Sequence, residues 1–328
     1  MQLGNVAVFP AAGYLSLAIE AVRQVSELQS LEVKGVSFRD IAIDTALVIP
    51  EVDEGIEIQF CMTPIKKGNH SSVWYSFAIK SITDGVWTKH CEGTVCPLLN
   101  NCKNMNASSP CPVDVANLQQ RVPSRRWYKA FDSVGFEYGP SFQRLGTIRS
   151  NGKNYEVASD VEIVTECGLI QGESRYILHP ATIDSCLHLM IMSSVKGLPK
   201  EMACGIVPVN IESMTIWSST GEEASTGNAL AWTDPPQDEA SRYRNIHVKL
   251  YTETGNPVLE IQGMRTVQYE AAVPQSTTVD IPRAPYMQTS WKPDITTMRT
   301  SSLTPASLAE TLESVSYTHL TLPTKRIV

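Results

Sequence analysis

Between residues 9 and 28, apolar side chains recur at Leu15, Ala18, Ile19, Val22 and Val25. That spacing lines one face of a helix, and Pro10 suits its first turn, where the missing N–H would have no helical partner anyway. Three strand-like segments follow: 56–62, which partly alternates, 72–82, which is apolar on both faces, and 86–97. The second half repeats this order. Pro180 and Ala181 open a helix with Ile183, Leu187 and Ile191 on its apolar face, and strands are predicted around 206–216, 229–233, 246–252 and 257–269. Gly255 and Asn256 turn the last hairpin. The spacing repeats as well, since 83 positions separate Pro10 from Gly93 and 83 separate Pro180 from Gly263. Order and spacing together predict a duplicated α+β unit, each copy a long helix wrapped by an antiparallel sheet.

Between the copies, Asn, Ser, Cys and Pro crowd residues 100–112, which reads as an exposed linker. The expected organisation is an N-terminal unit over 1–99, a linker over 100–118, a C-terminal unit over 119–272 and a Pro- and Thr-rich exit over 273–314. The tail 315–328, V-S-Y-T-H-L-T-L-P-T-K-R-I-V, resembles the translation of a sequencing adaptor. It is set aside as foreign to the fold, together with His319.

Composition narrows the class. A chain of 328 residues can bury a sizeable core. A net charge of −7 without a basic block argues against nucleic acid, and no run approaches the ~18 apolar residues that a membrane helix needs. The start, Met1-Gln2-Leu3-Gly4, lacks the charged and apolar regions of a secretory signal, so a soluble cytoplasmic protein is expected. Eight cysteines without a C-x-x-C pair or metal-type His spacing predict reduced thiols, no disulfides, no zinc and no other metal.

The stretch 178–188, L-H-P-A-T-I-D-S-C-L-H, carries the most chemistry. Asp184 lies one turn into an apolar helix, and His188, four residues on, shares its face. An apolar pocket around Ile183, Leu187 and Leu189 favours the protonated form of a carboxyl, as a general acid requires.

This H-P-A-x-x-D-x-x-x-H pattern resembles the acid-bearing helix of polyketide synthase dehydratase domains. Three further motifs resemble the same family in the same order: F-P-A-A-G-Y-L-S-L-A-I-E-A over 9–21, Y-G-P-S-F over 138–142 and I-V-P-V over 206–209. The resemblance covers about residues 1–272 and is closest to fungal highly reducing synthases. Trp291-Lys292-Pro293-Asp294 resembles the segment that leads to the next synthase domain.

The resemblance implies a double hot-dog fold and the dehydration of a β-hydroxyacyl thioester on acyl carrier protein to an α,β-enoyl thioester. It makes Asp184 the proton donor. Tyr138, Gly139, Pro140 and Phe142 become substrate-tunnel residues, Pro10 and Gly13 residues that bind the substrate or support those that do, and His188 either a partner of the acid or substrate or a core histidine satisfied by a backbone carbonyl. No cofactor is bound directly, because the acyl group arrives on the carrier's phosphopantetheine. Acyl carrier protein, the other synthase domains and a second copy in a homodimer are the implied partners.

The family's base motif, H-x-x-x-G-x-x-x-x-P, departs here. Counting back from Pro10 puts Asn5 at the glycine and Met1 at the histidine, and taking Gly4 as the glycine moves the histidine ahead of residue 1. The expectation is a catalytic His and a first strand lying upstream, with this chain inactive by itself.

Among the remaining histidines, His90 reads as a partly exposed strand residue, His179 as a hydrogen-bonding group at the helix start, and His70 and His247 as structural. Arg121, Arg125 and Arg126 either meet an acidic carrier protein or are solvated surface charge. Two rival readings are a non-catalytic dehydratase-like module, for carrier binding or dimerisation, and a hot-dog hydrolase or product-template relative.

Overall fold

The computed structural model describes residues 1–269 apart from 52–54, 66–72, 84, 100–110, 167–174, 219–224 and 236–243. The chain opens with a hairpin of two short strands, β1 (Gln2–Leu3) and β2 (Val6–Ala7). Gly4 and Asn5 between them have φ of 56° and 67°. A two-residue hairpin loop matches the strand twist only with positive φ at both positions, which glycine and asparagine tolerate best. Helix α1 (Ala11–Leu28) follows, then β3 (Val33–Ile43), β4 (Ile58–Ile65), β5 (Trp74–Thr83) and β6 (Val86–Leu99).

The second half begins with β7 (Gln120–Pro123), helix α2 (Ser124–Ser133), β8 (Phe136–Glu137), β9 (Thr147–Ser150) and β10 (Glu156–Glu162). Helix α3 (Pro180–Ser194) comes next, then β11 (Gly205–Trp217), β12 (Thr226–Thr233), β13 (Ile246–Thr252) and β14 (Pro257–Tyr269). Eleven strands make one antiparallel sheet in the order β4-β5-β6-β3-β11-β14-β13-β12-β10-β9-β7. β3 and β11 are the seam, so the sheets that wrap α1 and α3 are continuous. This is the expected double hot-dog arrangement of an α+β fold.

Several expectations need correction. Pro10 stands just ahead of α1, as its N-cap, not in the first turn. Helix α3 is buried all round from Ala181 to Ser193, so its apolar face is not one-sided. The cause is packing, since β10, β12, β13 and α1 all contact it. The segment predicted over 56–62 is shifted to Ile58–Ile65. Strands β3, β7, β9 and β10 and helix α2 were not predicted.

A short strand, β1, precedes Val6 and pairs on both sides, with β2 and with β8. At the end of the inter-unit linker, Val113 and Leu118 are buried against Ala158, so this part packs on the second sheet. Residues 100–110, the exit 273–314 and the tail 315–328 lie outside the described residues. Among the described residues, no helix is long and apolar enough to cross a membrane.

Candidate functional site

The start of α3 fixes the chemistry-bearing side chains. His179 has an extended backbone and caps the helix, its Nδ1 accepting the N–H of Ala181 at 3.0 Å. Pro180 takes the first helical position, where no N–H is needed. One turn later Asp184 is 4% exposed and His188 only 1%. Asp184 Oδ2 lies 3.1 Å from His188 Nε2. The approach is close enough for an ion pair but is off the line of a hydrogen bond, so Asp184 Oδ2 and both His188 ring nitrogens have no hydrogen-bond partner among the described residues. A buried polar group left unpaired costs about 1–3 kcal/mol, so native structures keep few of them. Three such atoms lie together here.

Aromatic rings surround the imidazole. The Tyr138 ring is 3.9 Å from that of His188 between centroids and tilted by 57°. From α2, Phe131 stands at 5.6 Å and Tyr128 at 5.9 Å. Burial, and after it the Asp184 carboxyl, holds the Tyr138 phenol well above its ordinary value. The Tyr128 phenol is raised by the same two causes in the same order. Both stay protonated at any physiological pH and can donate hydrogen bonds. Tyr128 donates to the carbonyl of Phe142 at 3.4 Å, and Ser185 on α3 reaches the same oxygen at 3.5 Å. The 138–142 segment is thereby tied to both helices.

The predicted site residues separate into two groups. Tyr138 and His188 meet beside Asp184. Gly139 and Pro140 are exposed, Phe142 is partly buried, and the segment follows the end of β8 and forms a 3-10 turn (Pro140–Phe142). Pro10 and Gly13 shape the start of α1: the Pro10 carbonyl accepts the Gly13 N–H at 2.9 Å. A Cβ on Gly13 would lie 2.5 Å from the Phe9 ring, so glycine is needed for that ring to pack there.

The N-terminal hairpin carries the first half to this site. β1 pairs with β8 in the register Leu3↔Phe136 and Gln2↔Glu137. One step further, Met1 comes level with Tyr138. Met1 also lines an apolar cavity of about 260 Å³, with Phe9 and Tyr14 on one wall, Asp44, Thr45 and Ala46 on another, and Val207, Pro208 and Val209 opposite. The cavity opens where the seam ends. Pairing of β3 with β11 stops at Asn210↔Ala42, β11 is irregular between Pro208 and Asn210, and the Asn210 side-chain amide donates to the Ile41 carbonyl at 3.0 Å. Proline has no N–H to give a central strand and is found at such irregularities. β3 ends one residue beyond that pair, at Ile43, while β11 reaches back to Gly205, so residues 205–209 of β11 have no partner on β3. Tyr269 on the cavity wall touches Phe136, which in turn touches Tyr138, so aromatic contacts run from the cavity to His188.

The other histidines fall elsewhere. His90 is 3% exposed, which corrects the reading as a partly exposed residue, and both its ring nitrogens have partners. His247 stacks on Trp232, meets Asp234 at 3.1 Å and accepts the Gly263 N–H at 3.3 Å. His70 lies outside the described residues. Arg121, Arg125 and Arg126 are exposed, on β7 and α2. The reading from sequence missed Tyr128 and Phe131, although W-Y-x-x-F over 127–131 has helical spacing. Among the described residues, no group of three His, Cys, Asp or Glu side chains is arranged to hold a metal.

Comparison with known proteins places this geometry. Residues 107–276 match the model of the polyketide synthase dehydratase N-terminal domain, and residues 2–81 that of the polyketide synthase dehydratase domain. The chain is 37% identical over 302 residues to reducing polyketide synthase DEP5 of Fusarium langsethiae, which covers 90% of this chain and 12% of that protein. The chain thus spans a small part of the length of the curated relatives it matches. Among solved structures, a trans-AT polyketide synthase dehydratase domain from Brevibacillus brevis has a TM-score of 0.64 at 18% identity, over 82% of this chain and 88% of that one. The dehydratase domain from the CurF module of curacin polyketide synthase has a TM-score of 0.61 at 22% identity, over 82% and 87%. These two similarities concern the fold.

Proposed function

Because the chain belongs to the polyketide synthase dehydratase family, we propose that its site acts on β-hydroxyacyl thioesters delivered on the phosphopantetheine arm of an acyl carrier protein. The reaction removes water and leaves an α,β-enoyl thioester. A base takes the α-proton, the C–C bond gains its second electron pair, and the β C–O bond breaks as the hydroxyl receives a proton and departs as water. Asp184 is the proton donor in this reading. The observation that carries it is the Asp184 Oδ2 atom, buried among aromatic and apolar groups with no hydrogen-bond partner among the described residues. Such an oxygen is free to exchange a proton with a substrate. Tyr138 and His188 fix the space around it.

The base half is what this sequence lacks. Counted back from Pro10, the family motif puts the base at Met1, whose thioether accepts a proton far too weakly to serve, and with Gly4 as the motif's glycine the position falls ahead of residue 1. A second reading, in which the site binds acyl chains without turning them over, is the outcome if no residue supplies the base.

The two are separated by measuring enoyl formation from β-hydroxyacyl pantetheine thioesters, with a short extension placed ahead of residue 1. The chain itself is expected to be inactive, Met1→His to gain turnover, and Met1→His with Asp184→Asn to fall back by roughly 10²–10⁴-fold, as loss of a general acid does. Equal turnover by the unsubstituted chain would place the base elsewhere within these residues. Full activity in the double variant would remove Asp184 from the mechanism. Binding without turnover in every variant would establish the second reading.

A further inference from the structure

His90 is buried on β6, away from Asp184, yet it is bonded on both sides. Its Nδ1 lies 2.9 Å from the Thr45 carbonyl oxygen, which can only accept, so Nδ1 carries the hydrogen. Its Nε2, 2.7 Å from Ser81 Oγ, is left to accept the serine hydroxyl. The backbone carbonyl of His90 in turn accepts the Asp44 N–H at 2.9 Å. Beside it, the Tyr14 ring stacks on the imidazole at 6.3 Å with planes 10° apart, and the Tyr14 hydroxyl accepts the Leu47 N–H at 3.1 Å. Lys89, adjacent on β6, pairs with Asp44 at 3.1 Å. The stretch 44–47 lies between the end of β3 and a backbone tether to the chain start, where the Leu47 carbonyl accepts the Phe9 N–H at 2.9 Å and Val48 bridges Val8; between those ends the bonds to His90, Tyr14 and Lys89 help to set where it runs. Asp44, Thr45 and Ala46 from this stretch, with Tyr14, line the cavity at the fork of the seam.

We infer that His90 is a positioning residue: held by Ser81 and stacked on Tyr14, it fixes the 44–47 wall of the cavity and thereby sets which acyl chains the cavity accepts. This rests on the proposed function and takes the cavity, joined to His188 through Tyr269, Phe136 and Tyr138, as the place where the acyl chain lies. The physical reason is leverage. In a narrow apolar space one methylene more or less changes the preference by about tenfold or more, so a wall displaced by a fraction of an ångström re-ranks chains that differ in length. His90 touches no substrate in this arrangement. It acts through the Thr45 carbonyl.

The test uses the whole chain and two readouts. The first is calorimetric binding of S-alkyl pantetheine thioethers from butyl to dodecyl. The second is hydrogen exchange of the backbone amides in 44–47. His90→Phe removes both bonds and keeps a ring on Tyr14, whereas His90→Asn keeps a side-chain N–H within reach of the Thr45 carbonyl. The expected result is faster exchange over 44–47 in His90→Phe and a change of roughly fivefold in its preference between short and long chains, with His90→Asn restored toward the parent in both. A role in folding alone would lower the melting temperature and leave the ranking of chain lengths intact, which would overturn the inference. So would unchanged exchange over 44–47. If the parent binds no thioether at all, the acyl reading of the cavity fails, and with it the assigned role in chain selection. Exchange over 44–47 then shows separately whether His90 holds the wall.

Discussion

Asp184 brings the opposition between function and stability down to a single atom. Its Oδ2 is buried without a hydrogen-bond partner among the described residues, at a cost the fold must offset elsewhere. Replacing the carboxyl by an amide puts an N–H 3.1 Å from His188 Nε2, where a small turn of either side chain completes a hydrogen bond. Asp184→Asn is therefore expected to raise the melting temperature, by roughly 2–4 °C for each kcal/mol recovered. A lower melting temperature would mean that the carboxylate stabilises the fold and is not strained for function.

A second expectation concerns alkaline pH. Burial raises the Cys186 thiol from 9.0 to about 12, with a further contribution from Asp184. It raises Cys91 to about 12, with help from Asp44 and Glu92, and the Tyr14 phenol from 10.0 to about 12. The unfolded chain ionises these groups first, so above pH 9 it binds fewer protons than the folded chain. Stability from this source is intact below pH 9 and is lost between pH 9 and about 12. Urea midpoints measured across that range should fall, and Cys186→Ala should flatten the fall where it begins. A flat profile in the parent chain would contradict the burial of these groups. Asp184 and His188 drew attention in the sequence because four motifs that resemble one family stand in order around them, since a polar pair four apart is by itself most often surface charge. The buried, doubly bonded state of His90 was not legible there, since Ser81 and Thr45 come to it only through strand pairing and a loop.

Elements were legible where one periodicity ruled them. Helices α1 and α3 and the hairpin of β13 with β14 follow from spacing and a Gly-Asn turn. Helix α2 was hidden because Arg125, Arg126 and Lys129 give it a charged outer face, while Trp127, Tyr128 and Phe131 make up its buried one. Strand β3 was hidden by its irregularity: the register with β6 shifts between Arg39 and Ala42, and Asp40 has φ of 52°. An added residue there breaks the alternation that sequence reading depends on. α2 exists in this fold to bring two rings to His188, which fixes the consequence of losing one. Phe131 is fully buried and its ring meets those of Trp127, Tyr128, Tyr138 and His188. Phe131→Ala should cost about 3–5 kcal/mol in a urea titration, the cavity being too enclosed to collapse. A cost well under 1 kcal/mol would show that α2 is loosely docked and does not hold the imidazole.

At the scale of the molecule, the sequence shows two similar units but not how they join. The join is decided by β3 and β11, whose pairing runs from Gly35↔Trp217 to Ala42↔Asn210 and makes one sheet of two. Where that pairing stops, the cavity begins, so the seam both welds the halves and positions the site between them. Gly35 is the tightest point of the weld. A Cβ there would lie 2.3 Å from the Ile216 carbonyl oxygen, a backbone atom that cannot turn aside as a side chain would. Gly35→Ala must therefore push β3 and β11 apart, at a cost of roughly 1–3 kcal/mol or more. Because the sheet is continuous, neither half can give way alone, and the loss should appear as one lower urea midpoint, the same by tryptophan fluorescence and far-ultraviolet circular dichroism. Two separate transitions in the parent chain would show that the halves fold independently and that the seam is only a contact. An unchanged midpoint in Gly35→Ala would show that the strands are not held as closely as the register requires, and the account of the cavity as the fork of a rigid seam would fall with it.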